Sequence, residues 1–85
     1  MTIQILYFAS LREKLGCNVE SLSLPAQVTT VQALRELLAA RGGVWQEAFV
    51  DSARLRAAVD QTMAQEQTPI HAGSEVAFFP PVTGG

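Results

Sequence analysis

The sequence predicts an α+β fold, a mixed sheet of four or five strands packed on one main helix, followed by an extended tail that ends in two glycines. Three observations carry this. Apolar and other residues alternate at both ends of the chain, over Thr2–Ala9 and Glu75–Phe79, as strands require. Between them Val31, Leu34, Leu37, Leu38 and Arg41 recur at helical spacing. The 85 residues, 48% hydrophobic and 16% charged, suffice for one small core and leave little room for a second domain.

In chain order, the first strand sets Ile3, Ile5 and Tyr7 on one face and Gln4, Leu6 and Phe8 on the other. Gln4 marks the second face as the less buried. Ser10 is placed to cap a short helix over Leu11–Leu15, and Gly16 to stop it in a left-handed conformation. Val19–Leu24 alternates again and reads as an edge strand beside the first, ended by Pro25. Thr29 or Thr30 opens the main helix, and Thr29 with Gln32 fits a capping box. Gln32, Arg35 and Glu36 are expected to face water, and Gly42-Gly43 to terminate the helix. Val44–Asp51, with Trp45 and Phe49, reads as a turn or short helix over one end of the sheet. Arg54–Asp60 turns Leu55, Ala57 and Val59 inward, Asp60-Gln61 is a turn, and Thr62–Ala64 a short strand. Glu66–Gly73, with Pro69 and Gly73, is a loop before the last strand, Glu75–Phe79. This element order describes a β-grasp arrangement.

Composition narrows the function. The formal net charge is −2, and the six basic residues, Arg12, Lys14, Arg35, Arg41, Arg54 and Arg56, form no stripe suited to a phosphate backbone, so no nucleic-acid partner is expected. Cys17, the single cysteine, allows no intrachain disulfide, and nothing nearby in sequence activates it as a thiolate. The lone His71 lacks the companions that a metal site or acid–base pair needs. No apolar run approaches a membrane span, and the N-terminus has no basic region ahead of a cleavage site. A cytoplasmic protein without metal or membrane anchor is the expectation.

The chemistry concentrates at Phe78-Phe79-Pro80-Pro81-Val82-Thr83-Gly84-Gly85. Pro80 lacks the N–H that would continue a strand, and each proline biases the residue before it towards extended geometry. Residues 1–79 therefore read as the domain and 80–85 as a protruding arm, spanning up to about 20 Å at ~3.3 Å per residue. Gly84 and Gly85 make its tip slim enough to thread a narrow channel and present a carboxylate to another protein's active site. At the arm's root the outer parity holds Leu6, Phe8, Ala77 and Phe79, with Met63 joining from the short strand. That cluster marks a partner surface, unless the segment around Trp45 covers it.

The tail resembles, almost residue for residue, the terminus of the small subunits of molybdopterin synthase, which are ubiquitin-like sulfur carriers. The resemblance extends to Tyr7–Gly16, to Thr30-Val31 with Leu34, and to Ala57–Gln61, where Asp60 replaces the family's usual asparagine. It implies a parallel pairing of the first and last strands at the centre of the sheet. It also implies a cycle at Gly85: an E1-like adenylyltransferase spends ATP to adenylate the carboxylate, a sulfur donor protein converts it to a thiocarboxylate, and the arm enters the large synthase subunit. There the sulfur turns cyclic pyranopterin monophosphate into molybdopterin, in a heterotetramer of two small and two large subunits. The chain is then no catalyst alone and holds no permanent cofactor. Gly84 and Gly85 carry the chemistry, and Phe8, Arg12, Met63, Phe79, Pro80, Pro81, Val82 and Thr83 contact partners. Three alternatives stay open on the residues: a sulfur carrier for thiamine synthesis or tRNA thiolation, a ubiquitin-like modifier joined to lysines through Gly85, and a binding module with an inert tail.

Overall fold

The structure, a computed structural model, describes residues 1–50 and 55–81. Five strands, β1 (Thr2–Tyr7), β2 (Val19–Ser23), β3 (Arg56–Val59), β4 (Thr62–Ala64) and β5 (Glu75–Phe79), form one sheet in the order β2-β1-β5-β3-β4. β1 and β5 run parallel at its centre, and every other pairing is antiparallel. Three helices, α1 (Ala9–Leu15), α2 (Val31–Ala39) and α3 (Gly43–Val50), accompany it. This is the β-grasp expected, with a five-stranded sheet, and of the two readings of Val44–Asp51, a turn or a short helix, the described part up to Val50 takes the second as α3.

The inner parity of the strands builds the core. Ile3, Ile5 and Tyr7 of β1, Ala57 and Val59 of β3, and Val76 and Phe78 of β5 are buried against Val31, Leu34 and Leu38 of α2. α3 packs on the same side. The Trp45 ring meets Tyr7 edge-on at 5.4 Å, and Phe49 meets Phe78 edge-on at 5.2 Å. Offset and edge-to-face ring pairs add to the area they bury.

Helix ends depart from expectation in two places. α1 begins at Ala9 behind Phe8, whose side chain makes no cap, so Ser10 lies inside the first turn. Gly16 does stop the helix at φ 68, its N–H donating to Arg12 C=O at 2.9 Å. At α2 the cap is Thr30, whose Oγ1 accepts from Ala33 N–H at 3.2 Å. The next two N–H groups, Val31 and Gln32, donate to Thr68 C=O and Glu66 C=O at 3.1 and 2.9 Å. The loop thus satisfies donors that a helix start leaves open, and the Thr29–Gln32 box has no role.

Arg35 is the clearest correction. Expected to face water, it is 8% exposed. Its Nη2 donates to Leu55 C=O at 2.8 Å, Nε lies 3.5 Å from Glu66 Oε1, and its guanidinium stands over Phe78 with the central carbon 5.8 Å from the ring centroid. Burial lowers its pKa, and Glu66 pulls the other way. Arginine tolerates this because its charge is delocalised and weakly hydrated.

Candidate functional site

Among the described residues, the face opposite the helices is open. Since α3 packs on Tyr7 and Phe78, the segment around Trp45 covers the inner side, and no helix among the described residues packs on the outer parity. Cross-strand register sorts that outer face into three bands. In the middle band Val19, Leu6, Ala77, Ala58 and Met63 stand side by side, one from each strand. Five strands at ~4.8 Å spacing make this row about 19 Å wide. Its ends are bare, with Val19 47% and Met63 58% exposed. The band away from the arm is polar, with Ser21, Gln4 and Glu75 in register. Asp60 adjoins it: its N–H donates to Glu75 C=O at 2.8 Å, and its Oδ1 accepts from Glu75 N–H at 2.9 Å.

The third band lies at the arm's root and holds Phe8, Phe79 and Arg56. Phe8 keeps the strand's extended geometry, φ −119 and ψ 157, and donates its N–H to Phe78 C=O at 3.1 Å. It therefore continues the β1–β5 ladder one step beyond Tyr7, beside Phe79, and is 46% exposed. Phe79 is half-buried and stands directly opposite Arg56 of β3. Arg12 is exposed one helical turn after Phe8, its N–H donating to Phe8 C=O at 3.3 Å. Pro80 and Pro81 follow β5 half-buried and outside any strand. Val82, Thr83, Gly84 and Gly85 lie outside the described residues, as does Arg54.

The structure thus brings Phe8, Met63 and Phe79 onto one face, with Arg12 exposed one helical turn beyond Phe8. Sequence reasoning missed three members. Val19 and Ala58 complete the apolar row only once register is known. Arg56 was legible by parity, since Leu55 and Ala57 point inward, but its place opposite Phe79 needs the β3–β5 pairing. Among the described residues no three His, Cys, Asp or Glu side chains gather to hold a metal. His71 belongs to a turn in which its N–H donates to Ser74 Oγ at 3.0 Å. No helix among the described residues is long and apolar enough to cross a membrane. The face offers apolar contact, cations and the start of an arm, and its described part carries no acid–base or nucleophilic pair.

Comparison with known proteins agrees with this geometry. The model of the ThiS family matches residues 5–85. The chain is 45% identical to the molybdopterin synthase sulfur carrier subunit of Escherichia coli K12 over 83 residues, covering 98% of this chain and 99% of that one. It is 39% identical to the protein of the same name from Haemophilus influenzae, with the same coverage. Among solved structures, SAMP1 of Haloferax volcanii, the small archaeal modifier protein 1, superposes with a TM-score of 0.76 at 26% identity, each chain covered completely.

Proposed function

The chain belongs to the ThiS family and has its ubiquitin-like β-grasp fold, and from that premise we propose that it is a sulfur carrier of molybdenum cofactor biosynthesis. The observation that carries the reading is the 45% identity, over nearly the whole of both chains, to a molybdopterin synthase sulfur carrier subunit. What supports it in the geometry is that β5, the central strand, leads into Pro80 and Pro81 beside the apolar row of the outer face.

The chemistry follows from what a terminal carboxylate at Gly85 can and cannot do. A carboxylate is a poor electrophile. An E1-like adenylyltransferase joins it to AMP from ATP, releasing pyrophosphate. Sulfide-level sulfur released by the sulfur donor protein then attacks the acyl carbon, AMP leaves, and a thiocarboxylate, a soft nucleophile, remains. In the large synthase subunit the thiocarboxylate gives its sulfur to cyclic pyranopterin monophosphate on the way to molybdopterin. This chain contributes positioning: Phe8, Met63 and Phe79 dock, Arg12 meets the rim, and Pro80, Pro81, Val82 and Thr83 line the path to Gly84 and Gly85. The partners supply acids, bases and ATP, and no cofactor is held permanently. Two small and two large subunits assemble the synthase, in the cytoplasm.

A second reading is favoured by the likeness to a small archaeal modifier protein. The same activation would then lead to an isopeptide bond with lysine. One reconstitution separates the two. The chain is incubated with the E1-like enzyme, ATP, a sulfur source and the large subunit, and molybdopterin and lysine adducts are both measured. The expected result is molybdopterin formation that disappears when one alanine is appended after Gly85, with the fold unchanged. Activity retained by the extended chain overturns the terminal-carboxylate mechanism, and lysine adducts without molybdopterin favour the modifier.

A further inference from the structure

The open face is apolar across its middle, and its two ends carry opposite charge. Glu75 lies in the band away from the arm, with Asp60 in the adjoining turn. Arg56 lies in the band at the arm's root, directly across from Phe79, and Arg12 follows Phe8 there. Four residue steps along β5 separate the two ends, about 13 Å at ~3.3 Å per residue.

The cations at the arm end are uncommitted. Among the described residues the ion pairs are Arg35–Glu66 and Arg41–Glu20, and the side-chain hydrogen bonds of arginine also belong to Arg35 and Arg41. Arg12 and Arg56 are exposed and join none of them. An arginine beside a half-buried aromatic on an open sheet face has the composition of an interface anchor. Its planar fork suits a carboxylate in two-point contact, and it stays charged at any physiological pH.

We propose that Arg56 reads the partner: it seats against a carboxylate at the mouth of the channel that receives the arm, so that the face docks with its basic end at the channel. The occupant is a protein surface with an apolar patch for the Val19–Met63 row, an acidic residue opposite Arg56, and no acidic residue where Glu75 and Asp60 land. Reversed docking would set like charges together at the Glu75 end and leave Arg56 without its anion, which opposes insertion of the arm in the wrong orientation. The inference rests on the reading above that the arm enters a partner protein.

The probe is the large synthase subunit. Association rates of the full chain and of Arg56→Glu, Arg56→Gln and Arg56→Lys are compared at about 10 mM and about 1 M salt, where charges are screened over roughly 30 Å and 3 Å. Arg56→Glu is expected to associate at least about tenfold more slowly at low salt, with the deficit closing at high salt, and Arg56→Lys to recover most of the rate. Unfolding midpoints should agree among all four, as the side chain is exposed. If Arg56→Glu associates like the unaltered chain at low salt, or if its deficit is the same at both salts, the charge-reading role is wrong. An unaltered chain that does not bind the large subunit overturns the docking reading and this inference together. One that binds while Arg56→Glu binds equally well overturns only this inference.

Discussion

Arg41 holds Glu20 through both terminal nitrogens, at 2.9 and 3.0 Å, and so ties the end of α2 to the edge strand β2. The same carboxylate accepts from Tyr7 Oη at 2.8 Å, and the Arg41 guanidinium lies over Trp45 with its carbon 4.4 Å from the ring centroid. β1, β2 and the turn after α2 meet at one carboxylate, and α3 joins them through Arg41.

A pH dependence follows. The hydrogen bonds from Arg41, with a smaller contribution from Tyr7, hold the Glu20 carboxyl below its usual pKa, against burial, which raises it. A depressed folded-state pKa gives stability that is fully present above the unfolded value, about 4.3 for glutamate, and is lost as pH falls through the folded value. At neutral pH the unaltered chain should exceed Glu20→Gln by about 1 kcal/mol, since the pair is partly open to water and screened. The difference should shrink on acidification from about pH 5 downward. Urea titrations of both chains across this range test it, and parallel stability curves would refute the coupling.

Arg35 should behave as a core residue. Arg35→Ala is expected to cost about 2–3 kcal/mol, because it strands the Leu55 carbonyl and empties the space over Phe78. Glu66→Gln should stay within about 0.5 kcal/mol, its side chain being 55% exposed. Equilibrium denaturation of the two variants distinguishes a buried arginine from one held mainly by its ion pair. Equal losses would assign the stability to the pair.

Phe78 and Phe79 are neighbours with opposite assignments. Phe78 is fully buried between Tyr7 and Phe49, and Phe78→Ala should cost about 3–5 kcal/mol of stability. Phe79 lies half-buried on the open face, and Phe79→Ala should weaken binding to the large subunit by more than it destabilises the monomer. Calorimetric unfolding and titration with the large subunit measure the two effects. Lost stability with unchanged affinity would place Phe79 in the core.

Most of the architecture was legible because strand parity is a local signal. Ile3, Ile5 and Tyr7 could be separated from Gln4, Leu6 and Phe8 without knowing any neighbour, and the end of β5 at Phe79 is set by Pro80. What escaped depends on contacts distant in sequence. Arg35 read as solvent-facing because its charge says so locally, and only Leu55 and Phe78 explain its burial. The cap of α2 fell to Thr30 because loop carbonyls from Glu66 and Thr68 took the donors a capping box would share. The outer face announced itself through Leu6, Phe8 and Phe79, but its banding is a property of register. A sequence states parity within a strand and is silent on which residue stands across from it.

β5 is clasped by β1 on one side and β3 on the other. Tension applied through Pro80 runs along the strand axis and loads the hydrogen bonds of both ladders in shear, all at once, instead of peeling them one by one from an edge. Pro80 is thus anchored to the middle of the sheet. A pull on Pro80 therefore meets both ladders along their most resistant direction, so the centre of the sheet is where this chain is best able to bear a load.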